Sequence, residues 1–191
     1  MNRKYLRVVF IGLFMLLMSA CQKDNPYDSL FRHVEEQRTV FAMTKDEGIA
    51  ALDLVDYEDK NNTLTLNEEL TAEDQKYGQR IRLDNNQLIE GYELVTRLPR
   101  SEIGYQQAER IVEAFLGHYS PSEEEKEKVV DSIHAVDDKT FPVKPEVKLV
   151  TESWESNDKG GSMSIHYRLT NSLANAEEIS LVLQFLRTAS P

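Results

Sequence analysis

The residues able to do chemistry in this chain are few and far apart. Cys21 is its only thiol. The four histidines, His33, His118, His134 and His166, are scattered, and none has a second histidine or a cysteine at the short spacing that a zinc or copper site needs. Acids sit side by side at Glu35–Glu36, Asp137–Asp138 and Glu177–Glu178. A general acid and base must flank one bond, whereas neighbours on a helix or strand point apart. Gly160–Gly161 falls in the turn-forming string Asn157 to Gly161, with no helix and no Lys-Ser pair after it to cradle a phosphate, and there is no Gly-x-Ser-x-Gly elbow. Spacing therefore assigns no catalytic residue, no cofactor-binding residue and no metal ligand. Trp154 and Tyr167 could form part of an aromatic binding patch on a sheet, against the plainer reading that they pack a sheet onto helices.

One oxygen-rich string stands out. Asp59 to Leu70 resembles an EF-hand loop, with oxygen-bearing side chains at its first, third, fifth and ninth positions. It departs from that pattern where the chemistry is strictest: Leu64 stands where glycine makes the sharp turn, and Leu70 where a bidentate glutamate closes the site.

The beginning of the chain is more specific. Arg3, Lys4 and Arg7 precede an uncharged apolar run from Val8 to Met18, followed by the small residues Ser19 and Ala20 and then Cys21. A basic start holds the cytoplasmic side while an apolar stretch of about 7–15 residues enters the translocon. The run is shorter than the ~20 residues needed to span a bilayer. Leu17-Met18-Ser19-Ala20-Cys21 resembles the lipobox of bacterial lipoproteins, with Met18 where leucine is usual. The resemblance implies removal of residues 1–20 as a signal peptide and a diacylglycerol thioether on Cys21. Two or three acyl chains, each buried methylene contributing about 0.8 kcal/mol, would make a durable anchor. Gln22 in place of aspartate implies the outer membrane in a host with two membranes, and Cys21-Gln22-Lys23-Asp24 resembles the surface-export signals of some lipoproteins.

Charge narrows the partners. The chain has 22 Lys+Arg against 33 Asp+Glu, and loss of Arg3, Lys4 and Arg7 with the leader lowers the net charge from −11 to −14. That argues against nucleic acid and against lying flat on anionic lipid, both of which require basic surface. With Cys21 acylated no thiol remains for a disulfide, a nucleophile or a thiolate metal site.

The elements that must position any site follow from periodicity. Residues 21–25 read as a lipidated N-terminus with a short tether and 26–191 as one acidic domain. Asn25-Pro26, with Tyr27, Leu30, Phe31, Val34 and Phe41 at helical spacing, predicts a helix over Pro26 to Met43. Residues 44–100 read as mixed: a helix or buried strand near Gly48 to Val55, a loop over Tyr57 to Asn62, and a short helix opening at Thr71. An extended piece over Arg80 to Leu83, a turn at Asn85-Asn86 and a strand from Gln87 to Leu98 complete it. Ser101 opens a helix with Ala108, Ile111, Val112, Phe115 and Tyr119 on its apolar side. Ser120-Pro121-Ser122-Glu123 has the form of a capping box and predicts a second helix, through Val136. Strands are expected at Val147 to Trp154, Met163 to Thr170 and Glu178 to Arg187. The fold class read from these elements is α+β: an N-terminal helix, a mixed middle region, a helix pair, then a C-terminal three-stranded antiparallel meander.

The expected function is that of a membrane-anchored envelope lipoprotein, a non-enzymatic binding or accessory module for an envelope protein or extracellular ligand. Two alternatives stand beside it. One is an envelope hydrolase whose carboxylates converge only in the fold, and the other a cation-responsive domain built on Asp59 to Glu69.

Overall fold

The computed structural model describes residues 25–119, 150–156, 163–172 and 175–188. Within them the chain forms α1 (Asp28–Arg38), α2 (Lys45–Ala51), β1 (Tyr57–Lys60), β2 (Thr63–Ala72), β3 (Gln75–Leu83), β4 (Ile89–Pro99), α3 (Glu102–Tyr119), β5 (Val150–Ser156), β6 (Met163–Asn171) and β7 (Glu178–Arg187). The strands make one seven-stranded sheet in the order β1-β2-β3-β4-β7-β6-β5. Every neighbouring pair is antiparallel.

Turn chemistry explains the first four strands. Asn61 and Asn62 both take positive φ, 53° and 57°, which is the type I′ geometry whose twist suits a two-residue hairpin and which asparagine tolerates well. Glu73 and Asp74 adopt the same geometry at 47° and 60°, an unusual place for two acids. Asp84 closes the next turn by accepting the backbone N–H groups of Asn86 at 2.8 Å and Leu88 at 2.9 Å.

This arrangement overturns the expected fold class. Beyond the short helix α2, the middle region is a run of four strands from Tyr57 to Pro99, including the Tyr57–Lys60 segment read as a loop and the Thr71 segment read as a helix start. The last strands do not form a separate three-stranded meander after the helices. β7 lies along β4 from Gly91↔Leu186 to Pro99↔Glu178, so the C-terminal strands are one wing of a single sheet and the final strand is central in it. The physical reason is burial on both sides. Ile179, Leu181, Leu183 and Phe185 fill one side of β7, and Val182 is buried on the other. A strand of that kind belongs inside a sheet, where its backbone is paired on both edges. Gly91 admits the close approach, because a Cβ there would lie 2.5 Å from the Phe185 carbonyl oxygen.

The first helix is also shorter than its apolar stripe predicts. It stops at Arg38, and Ala42 then takes a left-handed φ of 72°. From there β4 captures the backbone: Ala42 N–H donates to Ile89 O at 2.9 Å and Ile89 N–H to Met43 O at 2.8 Å. Thr44 next caps α2 in a capping box with Glu47, each side chain bonding the other's backbone. The predicted helix after Ser120 lies outside the described residues.

One face of the sheet carries the core. Leu30, Phe31 and Val34 of α1 and Ala108, Ile111, Val112, Phe115 and Leu116 of α3 pack on Tyr77, Ile81, Tyr92, Leu94, Ile165, Tyr167 and Phe185. Phe115 is the hinge of the aromatic contacts, 4.9 Å from Phe31 in an edge-on arrangement and 5.8 Å from Phe185. Gly104 lets α3 start hard against β4, since a Cβ there would strike the Pro99 carbonyl. Among the described residues no helix is long and apolar enough to cross a membrane.

Candidate functional site: the arginine face of the sheet

Strand alternation places polar residues on the face opposite the core helices. Arg80 and Arg82 of β3, Glu93, Val95 and Arg97 of β4, Ser180, Val182 and Gln184 of β7, and Ser164, His166 and Arg168 of β6 alternate with the buried side chains. Register brings them together across strands. Glu93 lies opposite Arg80 on one side and Gln184 on the other, and Gln184 lies opposite His166.

Glu93 organises this face. It is only 3 % exposed, and a buried carboxylate must be paired and hydrogen-bonded to be tolerated there. Its Oε1 accepts from Arg82 Nη1 at 3.2 Å and Gln184 Nε2 at 2.8 Å, while Oε2 lies 3.8 Å from Arg80 Nη1. Arg82 Nε also donates to Glu90 at 3.2 Å. Burial pulls the Arg82 pKa down, but the hydrogen bonds it donates to Glu93 and then Glu90, with the charge of those carboxylates, outweigh it and leave it raised. With both oxygens engaged by cations and an amide, Glu93 is a fixture that orients two guanidinium groups, each about two-fifths exposed, toward solvent. It is poorly placed to act as a base.

Beyond this cluster, Arg97 and Arg168 are exposed on the same face and make no ion pair among the described residues. A groove of about 540 Å³ runs beside Arg80 and Arg97, bordered by Thr65, Asn67, Gly78 and Val95. Its rim holds the Lys76–Glu69 ion pair at 2.9 Å. The floor opens where β2 departs from regular pairing, between Leu66↔Gln79 and Leu70↔Tyr77. Asp74 also lines the groove, so its ends differ, and it is the Arg80 and Arg97 end that is anion-directed: arginine forks suit carboxylate and phosphate oxygens.

His166 borders this face. Its Nε2 lies 3.1 Å from Ser164 Oγ, and burial lowers its pKa, favouring the neutral ring. A serine nucleophile would need an acid on the other ring nitrogen to orient the base, and among the described residues none bonds it. The pair is a polar contact of the face.

The other residues singled out by sequence are dispersed. Cys21, His134, Asp137–Asp138 and Gly160–Gly161 lie outside the described residues. His33 faces the core, where Nε2 donates to Gln79 Oε1 at 2.7 Å; that oxygen also accepts from Tyr92 Oη at 2.8 Å, and Gln79 Nε2 donates to the Glu68 carbonyl at 2.8 Å. This chain of bonds satisfies the carbonyl freed at the β2 irregularity. His118 stacks on Phe31 at 4.0 Å. Glu35 pairs with Arg38, whereas Glu36 lies toward His33. Tyr167 is 1 % exposed in the core, so it offers nothing to a surface aromatic patch. The EF-hand-like string is the β1–β2 hairpin: Leu64 is fully buried and Asp59 is held by Lys45 at 2.8 Å. Its oxygen side chains are strung along two strands and do not converge on a loop.

Sequence reasoning missed Arg80, Arg82, Glu93, Arg97 and Gln184. Arg80-Ile81-Arg82 does alternate, but the partners that turn an alternation into a site come from strands joined only by topology. Comparison with protein-family models, with curated proteins and with solved structures finds no match for this chain.

Proposed function

We propose that the protein is a lipid-anchored envelope lipoprotein whose domain is a non-enzymatic binding module, and that it recognises an acidic surface of an envelope protein through the arginine face of its sheet. The observation that carries this reading is the basic face itself. In a chain of net charge −11, Arg80 and Arg82 are held in place by a buried carboxylate, while Arg97 beside Arg80 and Arg168 farther across the same face have no ion-pair partner among the described residues. Such a face attracts anions by its local field, while the acidic remainder of the chain repels an acidic partner elsewhere and confines its contact to this face. A preset array of forks also lowers the ordering cost of binding. The leader and lipobox-like string ending at Cys21 support the anchor, which would keep the module beside its partner at high local concentration.

The test is crosslinking and co-purification from detergent-solubilised envelope, comparing the wild-type chain with Arg97→Glu/Arg168→Glu. The reading expects one dominant acidic partner, lost in the double variant and weakened by salt. Equal recovery with both proteins, or no repeatable partner, would sink it. Mass spectrometry of the mature N-terminus, with Cys21→Ser as control, tests the anchor separately: an unmodified cysteine or unchanged membrane retention removes it.

A further inference from the structure

Gly78 lies inside β3, lining the groove beside Arg80 and Arg97. A glycine within a strand weakens it, and its usual reason is that another group must come close to the backbone there. The fold supplies that reason at Gly91 and Gly104, where an added Cβ would strike the Phe185 and Pro99 carbonyls. It supplies none at Gly78. A Cβ there would meet only the Val95 carbonyl oxygen, at an ordinary 3.8 Å. The surroundings widen the gap. Asn67, Glu68 and Glu69 of β2 fall opposite Gly78 alone, between the pairs Leu66↔Gln79 and Leu70↔Tyr77. On the other side Gly78 pairs with the partly exposed Val95 of β4. The result is an apolar notch in a polar face.

Register sets the spacing of charge around this notch. Arg80 lies opposite Glu93 and Gly78 opposite Val95, and Arg97 is the next residue of β4 on the same face. Same-face positions recur about every 7 Å along a strand, so the two arginine positions flank the notch and stand ~13 Å apart. A small anion reaches one arginine at a time over that distance. An extended chain has the same repeat, and its residues i, i+2 and i+4 match the three positions. We propose that the acidic partner is recognised through an extended segment of the form acid-x-apolar-x-acid. The apolar side chain fills the notch over Gly78 and Val95, and the flanking carboxylates meet Arg80 and Arg97 in charge-assisted pairs. Asp74 borders the groove at the β2–β3 turn and disfavours a third acid on that side. This motif rests on the arginine-face reading, which survives if the motif fails.

Fluorescence anisotropy of short labelled peptides against the full-length protein in detergent tests this. The probe carries glutamate, leucine and glutamate, each separated by one serine; one control replaces the leucine with serine, and another sets the two glutamates side by side. The probe should bind saturably and each control about tenfold or more weaker, the scale of one buried aliphatic side chain or one charge-assisted contact. Gly78→Ala and Gly78→Val should weaken the probe progressively, the larger side chain by about tenfold or more, while the melting temperature stays at or above that of wild type. Controls that match the probe, no saturable binding up to millimolar concentration, or wild-type affinity in Gly78→Val would overturn the proposal. So would a melting temperature lowered by Gly78→Ala, since the fold itself would then need the glycine. Envelope capture separates the two readings: loss in Arg97→Glu/Arg168→Glu with full capture by both Gly78 variants would overturn the motif and leave the arginine face standing.

Discussion

The two faces of this sheet are made by alternate residues of the same strands, yet they solve opposite problems. On the helix side, Tyr92, Leu94, Tyr167 and Phe185 are shut away under α1 and α3; of the polar groups admitted there, Gln79 and His33 are tied to each other, whereas the Tyr77 hydroxyl has no partner among the described residues. On the other side the strands carry Arg80, Arg82, Arg97, Arg168 and His166, and the deeply buried Glu93 serves to aim cations outward. The contrast teaches that one face holds the fold together and the other is available to act. Neither role can be read from one strand, because Leu94 and Glu93 are chain neighbours and belong to different faces.

Substitutions can break or sharpen that division. The largest effect belongs to the helix side: Phe115→Ala should cost about 3–5 kcal/mol in chemical denaturation by emptying the centre of the aromatic cluster, while the folded fraction still captures partner. Glu93→Ala should cost about 1–3 kcal/mol and also weaken partner capture, since Arg82 and Gln184 lose their acceptor. If it left capture intact, the arginines would not need positioning. Thr44→Ala removes the exposed cap of α2 and should cost about 1 kcal/mol with no change in binding. Arg97→Ala and Arg168→Ala should shift stability by no more than about 0.5 kcal/mol yet reduce capture, the reverse of Phe115→Ala. A stability loss as large as that of the core variant would erase the distinction between the faces.

The smallest effect is a pH dependence. Burial holds the His166 pKa below its ordinary 6.5, so the folded protein resists a proton that the unfolded chain accepts. Its contribution to stability is complete above that value and falls away as the pH drops from about 6.5 toward the folded pKa. Melting curves of wild type and His166→Gln should diverge on acidification and run parallel at alkaline pH. Parallel curves throughout would mean that the ring sits in a wetter part of the face than its burial implies.

Much of the local structure was legible. Alternation in Met163 to Thr170 marks a strand, and β6 runs Met163–Asn171; the apolar period after Ser101 marks a helix, and α3 runs Glu102–Tyr119. Thr44-Lys45-Asp46-Glu47 carried a capping-box signal that went unread, as did the Asn61-Asn62 hairpin signal. The site was less legible. Glu93 and Gln184 are 91 residues apart and meet only because β7 inserts beside β4.

By itself the sequence determined the acidic charge, a sum over residues, and the lipobox-like string ending at the single cysteine and the period of the clearest elements, each of which depends on residues within a turn or two of one another. Tertiary structure alone decided which strand became central, where the first helix stopped and which arginines share a face. Those outcomes depend on burying apolar side chains and pairing backbone edges across the whole chain, and a doubly buried strand such as β7 finds its partners only when the sheet is assembled.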